Sequence, residues 1–296
     1  MKLNEVKLFS DITNIIRDGE FDTLGLNISE NNMNTLTFLE NEKYIDSMSK
    51  DITCVITTKE IYPKLSGNIG VVISNNPRDT FFTLHNNLAK NEQYIRKTEK
   101  TIIGEGCNIS NLASIAKNNV KIGNNVTIEE FVVIRENTTI GDNVIIRAGA
   151  KIGGEGFEVK RKDYSTYSVI HLGGVVIGNN VEIQYNSCID KAVYPWDNTI
   201  VEDYCKIDNL VHLGHACKIG RETLLAANSL IGGRTIIGEK CWVGISTTIS
   251  NGLIIGNKCR MNIGSVVTRD IKDGGNVTGN FAIDHSKFIE HIKKIR

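Results

Sequence analysis

Aliphatic residues recur at every sixth position along much of this chain, and the longest unbroken run has twelve members between Val201 and Val267. Shorter runs of the same period extend from Ile103 to Ile115, from Ile122 to Ile152 and from Ile177 to Ile189. A period of six fits neither an α-helix, with about 3.6 residues per turn, nor a free-standing alternating strand. It is typical of a parallel β-helix built from hexapeptide repeats. We therefore predict a mainly β solenoid in which three hexapeptides complete each turn.

Each hexapeptide is expected to supply one short strand and one corner, with its aliphatic residue pointing into the coil. The pairs Asn124-Asn125 and Asn179-Asn180 stand at predicted corners, where Asn and Gly tolerate positive backbone φ angles. Two segments interrupt the period. The segment from Tyr194 to Asp197 is predicted to bulge from one coil, and the polar stretch from Lys160 to Ser168 is predicted to be an extruded loop. Such loops often carry function.

The first hundred residues do not follow the period and predict a small α/β domain. Its expected elements are a helix from Leu8 to Ile16, strands at Thr35 to Phe38, Ile52 to Thr57 and Ile69 to Ser74, and a helix from Asp79 to Leu88. The predicted domains are therefore residues 1–98 for the α/β domain, 99–271 for the β-helix and 272–296 for a C-terminal tail. One short helix is predicted in that tail, from His285 to Ile295.

The composition bounds the kind of protein this is. The chain carries 34 basic and 34 acidic residues, so its formal net charge is zero. This balance gives no general attraction to nucleic acid or to an anionic membrane surface. The N-terminus shows no signal-like apolar run, and no later stretch is long and apolar enough for a membrane span. We expect a cytoplasmic protein.

Five of the seven cysteines share one phase of the repeat, four places after an aliphatic position: Cys107, Cys205, Cys217, Cys241 and Cys259. Other repeats place valine there, so we predict small core residues. The chain has no CxxC pair, and an odd count without a secretion signal argues against a disulfide framework. No metal site is predicted.

The clearest departure from the repeat is the polar segment from Asp208 to His215. His215 follows the inward-facing Leu213 by two places, so it should lie near a corner and face outward. An accessible imidazole can take a proton from an attacking amine or hydroxyl near neutral pH. Considered alone, the same residue also fits an ordinary surface histidine.

This segment resembles the catalytic motif of the UDP-3-O-acylglucosamine N-acyltransferases, enzymes of lipid A synthesis within the left-handed β-helix acyltransferases of hexapeptide repeats. The match is Ile207-Asp208-Asn209 followed by His215. The resemblance implies that His215 is the general base. It also implies that Gly233, one coil further along, offers its amide to the oxyanion of the reacting thioester. Without the resemblance, Gly233 would be an ordinary corner glycine. Substrate-binding roles are implied for Asp208, Asn209 and His212.

A second match lies outside the repeats, in the segment from Phe38 to Tyr44. It resembles the family's uridine-binding segment, in which Phe38 and Tyr44 would stack on the pyrimidine and Asn41 would offer its edge a donor and an acceptor. The alternative is structural: Phe38 ends a core strand and Tyr44 starts a helix.

Two further positions match the family's sugar site. Its D-G-F turn appears in altered form as Glu155-Gly156-Phe157, which implies substrate contacts for Glu155 and Phe157. Asp190 matches an acidic residue of the same groove. A solvated loop or corner is the alternative in each case.

Two departures from the family bear on the acyl donor. Gly252 stands where these enzymes often have a second histidine, and the chain stops at Arg296 where they usually continue into longer helices. Both favour a short acyl group from coenzyme A over a long one on acyl carrier protein. We therefore predict N-acyl transfer from an acyl-coenzyme A to a nucleotide-linked amino sugar, for cell-envelope glycan synthesis.

Three alternatives stay open. The first is the lipid A enzyme itself, a UDP-3-O-(3-hydroxyacyl)glucosamine N-acyltransferase that uses acyl carrier protein. The others are a sugar O-acetyltransferase and a non-catalytic hexapeptide binding protein. The resemblance also implies a homotrimer with three sites between the β-helices of adjacent subunits, no metal, and no cofactor besides the acyl donor.

Overall fold

A computed structural model describes residues 1–6, 14–162, 164–279, 282 and 284–295 of the chain. Its N-terminal part contains helices α1 (Leu3–Val6) and α2 (Pro77–Leu88) and strands β1 (Ile15–Arg17), β2 (Thr23–Leu24), β3 (Thr35–Leu39), β4 (Ile52–Thr57) and β5 (Gly70–Ile73). The five strands form one sheet in the order β1-β5-β4-β3-β2, and only β1 pairs antiparallel.

Strands β3, β4 and β5 lie close to where the sequence predicts them, because their apolar residues are buried on both faces. The short parallel strand β2 was not predicted. The predicted helix from Leu8 to Ile16 is wrong at its end, since Ile15 and Ile16 belong to β1, where Ile15 pairs with Val72. Residues 8–13 of that prediction lie outside the described part of the chain.

The repeats form a solenoid of short strands, interrupted by one hairpin. Before the hairpin come β6 (Ile102–Ile103), β7 (Asn108–Ile109), β8 (Ser114–Ile115), β9 (Val120–Ile122), β10 (Thr127–Ile128), β11 (Val133–Ile134), β12 (Thr138–Ile140), β13 (Ile145–Ile146) and β14 (Lys151–Gly154). The hairpin is β15 (Val159–Lys162) and β16 (Ser165–Ser168). After it come β17 (Gly174–Ile177), β18 (Glu182–Ile183), β19 (Cys188–Asp190), β20 (Asn198–Val201), β21 (Lys206–Ile207), β22 (His212–Leu213), β23 (Lys218–Ile219), β24 (Leu224–Leu225), β25 (Leu230–Ile231), β26 (Ile236–Ile237), β27 (Trp242–Val243), β28 (Thr248–Ile249), β29 (Ile254–Ile255), β30 (Arg260–Met261), β31 (Val266–Val267) and β32 (Asn276–Val277). Helix α3 (His285–Ile295) follows.

Three parallel sheets of eight, nine and eight strands make the faces of the solenoid. On one face Leu213, Ile231, Ile249 and Val267 are register partners, and successive partners differ by 18 residues in the sequence. One coil is therefore three hexapeptides, and its aliphatic residues form one continuous buried core. The predicted β-solenoid is confirmed. Corners adopt positive φ, at Asn125 (54°) and Asn180 (58°) among others, as the Asn pairs predict.

The repeat-phase cysteines lie where the sequence places them. Cys205, Cys217, Cys241 and Cys259 are buried, and Cys107 is half-buried against the core. Burial raises the pKa of the Cys205 and Cys217 thiols to about 12. These thiols therefore stay protonated at neutral pH and act as small core residues.

Both interruptions of the repeat are ordered and reach the N-terminal sheet. The predicted extruded loop is instead the hairpin of β15 and β16, because its tip strands pair with each other and Tyr167 donates to Asp79 of α2 at 2.9 Å. The bulge at 194–197 also docks: Trp196 Nε1 donates to the Leu24 carbonyl at 2.9 Å, and Arg96 Nε donates to the Pro195 carbonyl at 2.7 Å. The N-terminal sheet is thus fixed against the coils beside the hairpin.

The solenoid runs past the predicted end at Ile271, because β32 pairs in parallel with β30. Ile271 itself bridges to Ile255 one coil earlier. Among the described residues, no helix has the length and apolar character needed to cross a membrane.

Candidate active site

His215 lies at a corner, two residues after β22, and its side chain points out of the coil. The imidazole is nevertheless only 12% exposed, so the prediction of an accessible histidine is wrong. The cause is the segment that leads into the hairpin: a Cβ on Gly156 would lie only 3.3 Å from the His215 Cβ. Nδ1 is buried and has no hydrogen-bond partner among the described residues. Chemistry with a ligand must therefore use Nε2.

Glu158 is the partner of that nitrogen, and the sequence argument missed it. Its Oε2 lies 3.3 Å from His215 Nε2, and its other oxygen contacts the Lys160 ammonium. Burial raises the pKa of Glu158, but the interactions with His215 and Lys160 outweigh it and bring the pKa to about 2. Glu158 is therefore an anion at neutral pH and can stabilise a positive charge on the imidazole. The only signal in the sequence was its place beside the Glu155-Gly156-Phe157 turn.

Gly233 stands against the face of the same imidazole. A Cβ at this position would lie 2.7 Å from His215 Nε2 and 2.9 Å from Cδ2, closer than side chains approach one another. Arg234 N–H donates to the His215 carbonyl at 2.7 Å, which fixes the two corners together. The Gly233 N–H itself donates to no acceptor in the described part of the chain. The Gly233 N–H and His215 Nε2 are thus close enough to contact the same bound group.

A second group of charged side chains surrounds His171, which the sequence argument also missed. Its ring is buried, edge-on to that of His215 with centroids 5.5 Å apart, and its Nε2 has no partner among the described residues. Its backbone N–H donates to Glu155 at 3.2 Å, and Lys191 pairs with the other Glu155 oxygen at 2.8 Å. Burial raises the pKa of Glu155, but His171 and Lys191 outweigh it and lower the pKa to about 2.

Asp190 and His212 complete this group. His212 Nε2 lies 3.6 Å from Asp190 Oδ2, and the His212 side chain is 45% exposed, so it is open to a ligand. Burial raises the pKa of Asp190, and the neighbouring His212, His171 and His215 oppose that rise. Asp190, Glu155 and His215 are thus brought together, as the resemblance implies. Within the described ranges no three His, Cys, Asp or Glu side chains are arranged to hold a metal ion.

Asp208 and Asn209 make corner contacts between coils. Asp208 accepts the Asn209 and Ala227 N–H groups at 2.7 and 3.1 Å, and Asn209 Oδ1 accepts the Tyr185 N–H at 3.1 Å. Corner residues far from His215, such as Asp142, accept backbone N–H groups of the previous coil in the same way. Coil stacking therefore accounts for both side chains, and their substrate contacts stay a prediction. Phe157 is 92% exposed and is free to meet a ligand.

The predicted uridine residues are spread along one edge of the N-terminal sheet. Phe38 packs on Phe81 and Phe82, with ring centroids 5.0 and 5.9 Å apart, as the core-strand alternative predicts. Asn41 Oδ1 accepts the Lys43 N–H at 3.0 Å and caps a single 3₁₀ turn, Glu42–Tyr44. The exposed Tyr44 ring and the exposed Asn41 amide remain open to a base, so the uridine site stays a prediction.

The low pKa of Glu158 makes a prediction about acid stability. Its pKa is about 2 in the folded chain against an ordinary value of 4.5, so the unfolded chain takes up this proton at a higher pH. The anion therefore stabilises the fold above about pH 4.5, and the contribution disappears as the pH falls towards 2. In urea unfolding, the free energy of unfolding of Glu158→Gln should be lower than that of wild type at pH 7, and the difference should shrink between pH 5 and pH 3. A difference that stays constant with pH would contradict the role of the Glu158 charge.

Comparisons with known proteins find similarity to hexapeptide-repeat transferases. The family model described as bacterial transferase hexapeptide (six repeats) matches residues 119–154 and 198–233. UDP-3-O-acylglucosamine N-acyltransferase 2 of Legionella pneumophila (strain Lens) is 40% identical over 152 residues, which are 51% of this chain and 44% of that protein. UDP-3-O-acylglucosamine N-acyltransferase of Delftia acidovorans is 33% identical over 139 residues, 47% of this chain and 41% of that protein. A solved UDP-N-acetylglucosamine acyltransferase from Campylobacter jejuni matches with a TM-score of 0.54 at 25% identity, over 67% of this chain and 79% of that one.

These similarities confirm the predicted resemblance to the hexapeptide-repeat acyltransferases, and both curated relatives are named as N-acyltransferases. The matched segment spans less than half the length of these two curated relatives. The predicted preference for a different amino sugar and a short acyl-coenzyme A is wrong, because the relatives are named for UDP-3-O-acylglucosamine. The structure gives a different reason for glycine at position 252: its φ is +71°, a conformation that favours glycine whatever the acyl donor. The position of the last residue is likewise no evidence for the identity of the acyl donor.

Proposed function

We propose that this chain transfers an acyl group from acyl carrier protein to the amine of UDP-3-O-acylglucosamine. The observation that carries the proposal is His215 Nε2, which lies beside the Glu158 carboxylate and against Gly233, whose N–H has no acceptor among the described residues. The names of the curated relatives supply the acceptor, and the carrier-protein donor is that of the lipid A alternative raised from the sequence.

In the proposed reaction the sugar amine attacks the thioester carbonyl carbon. A C–N bond forms, and the neutral imidazole of His215, with its resting proton on Nδ1, takes at Nε2 the proton that the amine loses. The Gly233 N–H donates to the oxyanion of the tetrahedral intermediate. The intermediate then collapses, the C–S bond breaks, and the imidazolium returns its proton to the departing thiolate. Glu158 stabilises the imidazolium between these two proton transfers.

The proposal includes a homotrimer, in which the outward faces of the β-helices of neighbouring subunits pack on each other. Apolar residues at outward strand positions support this: Leu230, Ile236, Ile254 and Val266 are exposed in the single chain. Exposed apolar side chains on adjacent coils form a surface that association would bury. The site at His215 opens at a corner between two such faces, so the β-helix of an adjacent subunit would complete its wall.

The test is an acyl-transfer assay read by mass spectrometry. Purified protein is given UDP-3-O-acylglucosamine and a 3-hydroxyacyl carrier protein, and the product is treated with hydroxylamine, which cleaves esters and leaves amides. We expect hydroxylamine to remove the 3-O-acyl ester that the acceptor already carries and to leave one amide-linked 3-hydroxyacyl group on the UDP-glucosamine. A second candidate, acyl transfer to UDP-N-acetylglucosamine, is supported by the Campylobacter jejuni similarity. A labile ester formed on that acceptor, with no amide on the first, would replace the proposal by this candidate.

Glu158 should prove to be a positioning residue for His215. Glu158→Gln keeps the shape of the side chain but removes the charge beside Nε2, so kcat should fall about tenfold to a hundredfold while KM for the sugar changes little. Steady-state kinetics at saturating donor measure both constants. Glu136→Gln, an exposed carboxyl on another coil, is the control and should leave kcat unchanged. An unchanged kcat in Glu158→Gln would show that Glu158 does not position His215 for catalysis.

A further inference from the structure

We propose that His85 and Asn86, near the end of helix α2, are positioning residues for His215. They hold residues 168–171, called here the bridging segment, which follow the hairpin strand β16. The bridging segment in turn holds the loop that carries Glu158. This inference rests on the proposed function for the reaction that His215 performs.

On one side, the bridging segment bonds to two side chains of α2. Asn86 Nδ2 donates to the Ser168 carbonyl at 2.9 Å, and Asn86 Oδ1 accepts the Ile170 N–H at 2.9 Å. His85 Nε2 lies 2.8 Å from the Ile170 carbonyl oxygen. Because a carbonyl oxygen can only accept, Nε2 carries the ring proton and donates it. Two side chains thus bond to three backbone groups, as a neighbouring strand would.

The His85 ring is held in one orientation. It is fully buried, and its Nδ1 accepts the Tyr94 hydroxyl at 2.8 Å. Burial lowers the pKa of His85 to about 4, so the ring is neutral near pH 7 and has one donor and one acceptor nitrogen. The ring also packs edge-on against Tyr94 and Tyr194, with centroids 5.7 and 5.6 Å apart. Both nitrogens and the ring faces therefore fix the position of the donor to Ile170.

On its other side, the bridging segment bonds to the loop that carries Glu158. The Val169 N–H donates to the Glu158 carbonyl at 2.8 Å, and the His171 N–H donates to the Glu155 carboxylate at 3.2 Å. Successive residues of an extended segment present their backbone groups to opposite sides. Ile170 therefore faces α2, while Val169 and His171 face the loop.

That loop surrounds His215. Glu158 Oε2 lies 3.3 Å from His215 Nε2. A Cβ on Gly156 would lie 3.3 Å from the His215 Cβ and 2.8 Å from His171 Nε2, so the loop fits tightly between the two rings. Movement of the bridging segment would therefore displace the Glu158 carboxylate and uncover His215. Small misplacements of reacting groups lower turnover strongly.

The first test is kinetic. Asn86→Ala removes two of the three hydrogen bonds, so kcat should fall about fivefold to fiftyfold while KM for the sugar changes little. His85→Phe keeps a ring but removes both nitrogens, and kcat should fall in the same range. His85→Gln, whose amide can both donate and accept, should keep most of kcat. The control is Asn68→Ala, an exposed asparagine that accepts from the Ser66 hydroxyl. Thermal unfolding of each variant checks that the fold is intact.

A double-variant cycle separates positioning from a general structural effect. If Asn86 acts by placing the Glu158 carboxylate, Asn86→Ala should lower kcat much less in the Glu158→Gln background than in wild type. Full multiplication of the two losses would contradict positioning through Glu158.

The closing test needs no turnover. Diethyl pyrocarbonate modifies accessible imidazoles, and mass spectrometry of the peptide that contains both His212 and His215 reads the two sites separately. In wild type the buried His215 should react more slowly than the more exposed His212. Asn86→Ala and His85→Phe should raise the rate at His215 about threefold to tenfold and leave the rate at His212 unchanged.

The outcomes separate this inference from the proposed function. Equal modification rates at His215 in wild type and both variants would overturn the inference, even if wild type acylates the sugar amine. A raised rate at His215 alone would support the positioning by His85 and Asn86, even if no acylation is found. An equal rise at His212 and His215 would indicate general loosening and would also overturn it.

Discussion

Replacement of His215 by alanine is expected to lower kcat about a hundredfold to ten-thousandfold, the usual range for the loss of a general base. The fold should survive, because the imidazole packs outside the continuous core of the coils and its Nδ1 makes no hydrogen bond within the described chain. The measurement is the initial rate of amide formation at saturating donor and acceptor.

His212 supplies the matched control for this result. It lies on the same strand face three residues earlier, 3.6 Å from Asp190, and its side chain is far more exposed than that of His215. His212→Ala should therefore raise KM for the sugar more than it lowers kcat. If the two alanine variants lose kcat equally, or if His215→Ala keeps near-normal turnover with an intact fold, His215 is not the base.

Gly233→Ala should be nearly as damaging, although it adds only one methyl group. The new Cβ would lie 2.7 to 3.0 Å from three atoms of the His215 ring, so the ring must turn away. Displacement of the base and of the oxyanion donor together should lower kcat about a hundredfold to a thousandfold. Backbone strain is not the cause, since Gly233 does not have a positive φ.

A second glycine near the site tests that explanation. A Cβ on Gly154 would meet only Asp190 Oδ1, at an ordinary 3.5 Å, so Gly154→Ala should keep most of its activity. Both variants are compared by kcat and by circular dichroism. If Gly233→Ala keeps full activity, the ring and the glycine are not coupled in the way the geometry indicates.

The solenoid could be predicted from the sequence because its cause is local and repeated. Each inward residue, such as Leu213, meets its counterpart one coil away, so the period alone predicts strand, register and core. The start of β1 could not be predicted this way. Ile15 becomes a strand residue only because Val72, far along the chain, offers it an edge.

The candidate site likewise combines residues that the repeat predicts with residues that it does not. His215 and Gly233 belong to the repeat, and their nearness follows from the pitch of the coil. Glu158 and His171 come from the interruption at 153–173, where no period predicts which side chains fold back. For the same reason the burial of His215 escaped prediction: the cover over it is supplied by the hairpin segment rather than by its own coil.

Isotope labelling at the sugar nitrogen shows whether this site acylates the amine. UDP-3-O-acylglucosamine carrying ¹⁵N at its amine is incubated with 3-hydroxyacyl carrier protein and either wild type or His215→Ala, and the nitrogen is followed by NMR. We predict that a ¹⁵N-bonded amide proton signal grows with wild type and is nearly absent with the variant over the same time. Transfer of the acyl group while the labelled nitrogen remains an amine would contradict the account.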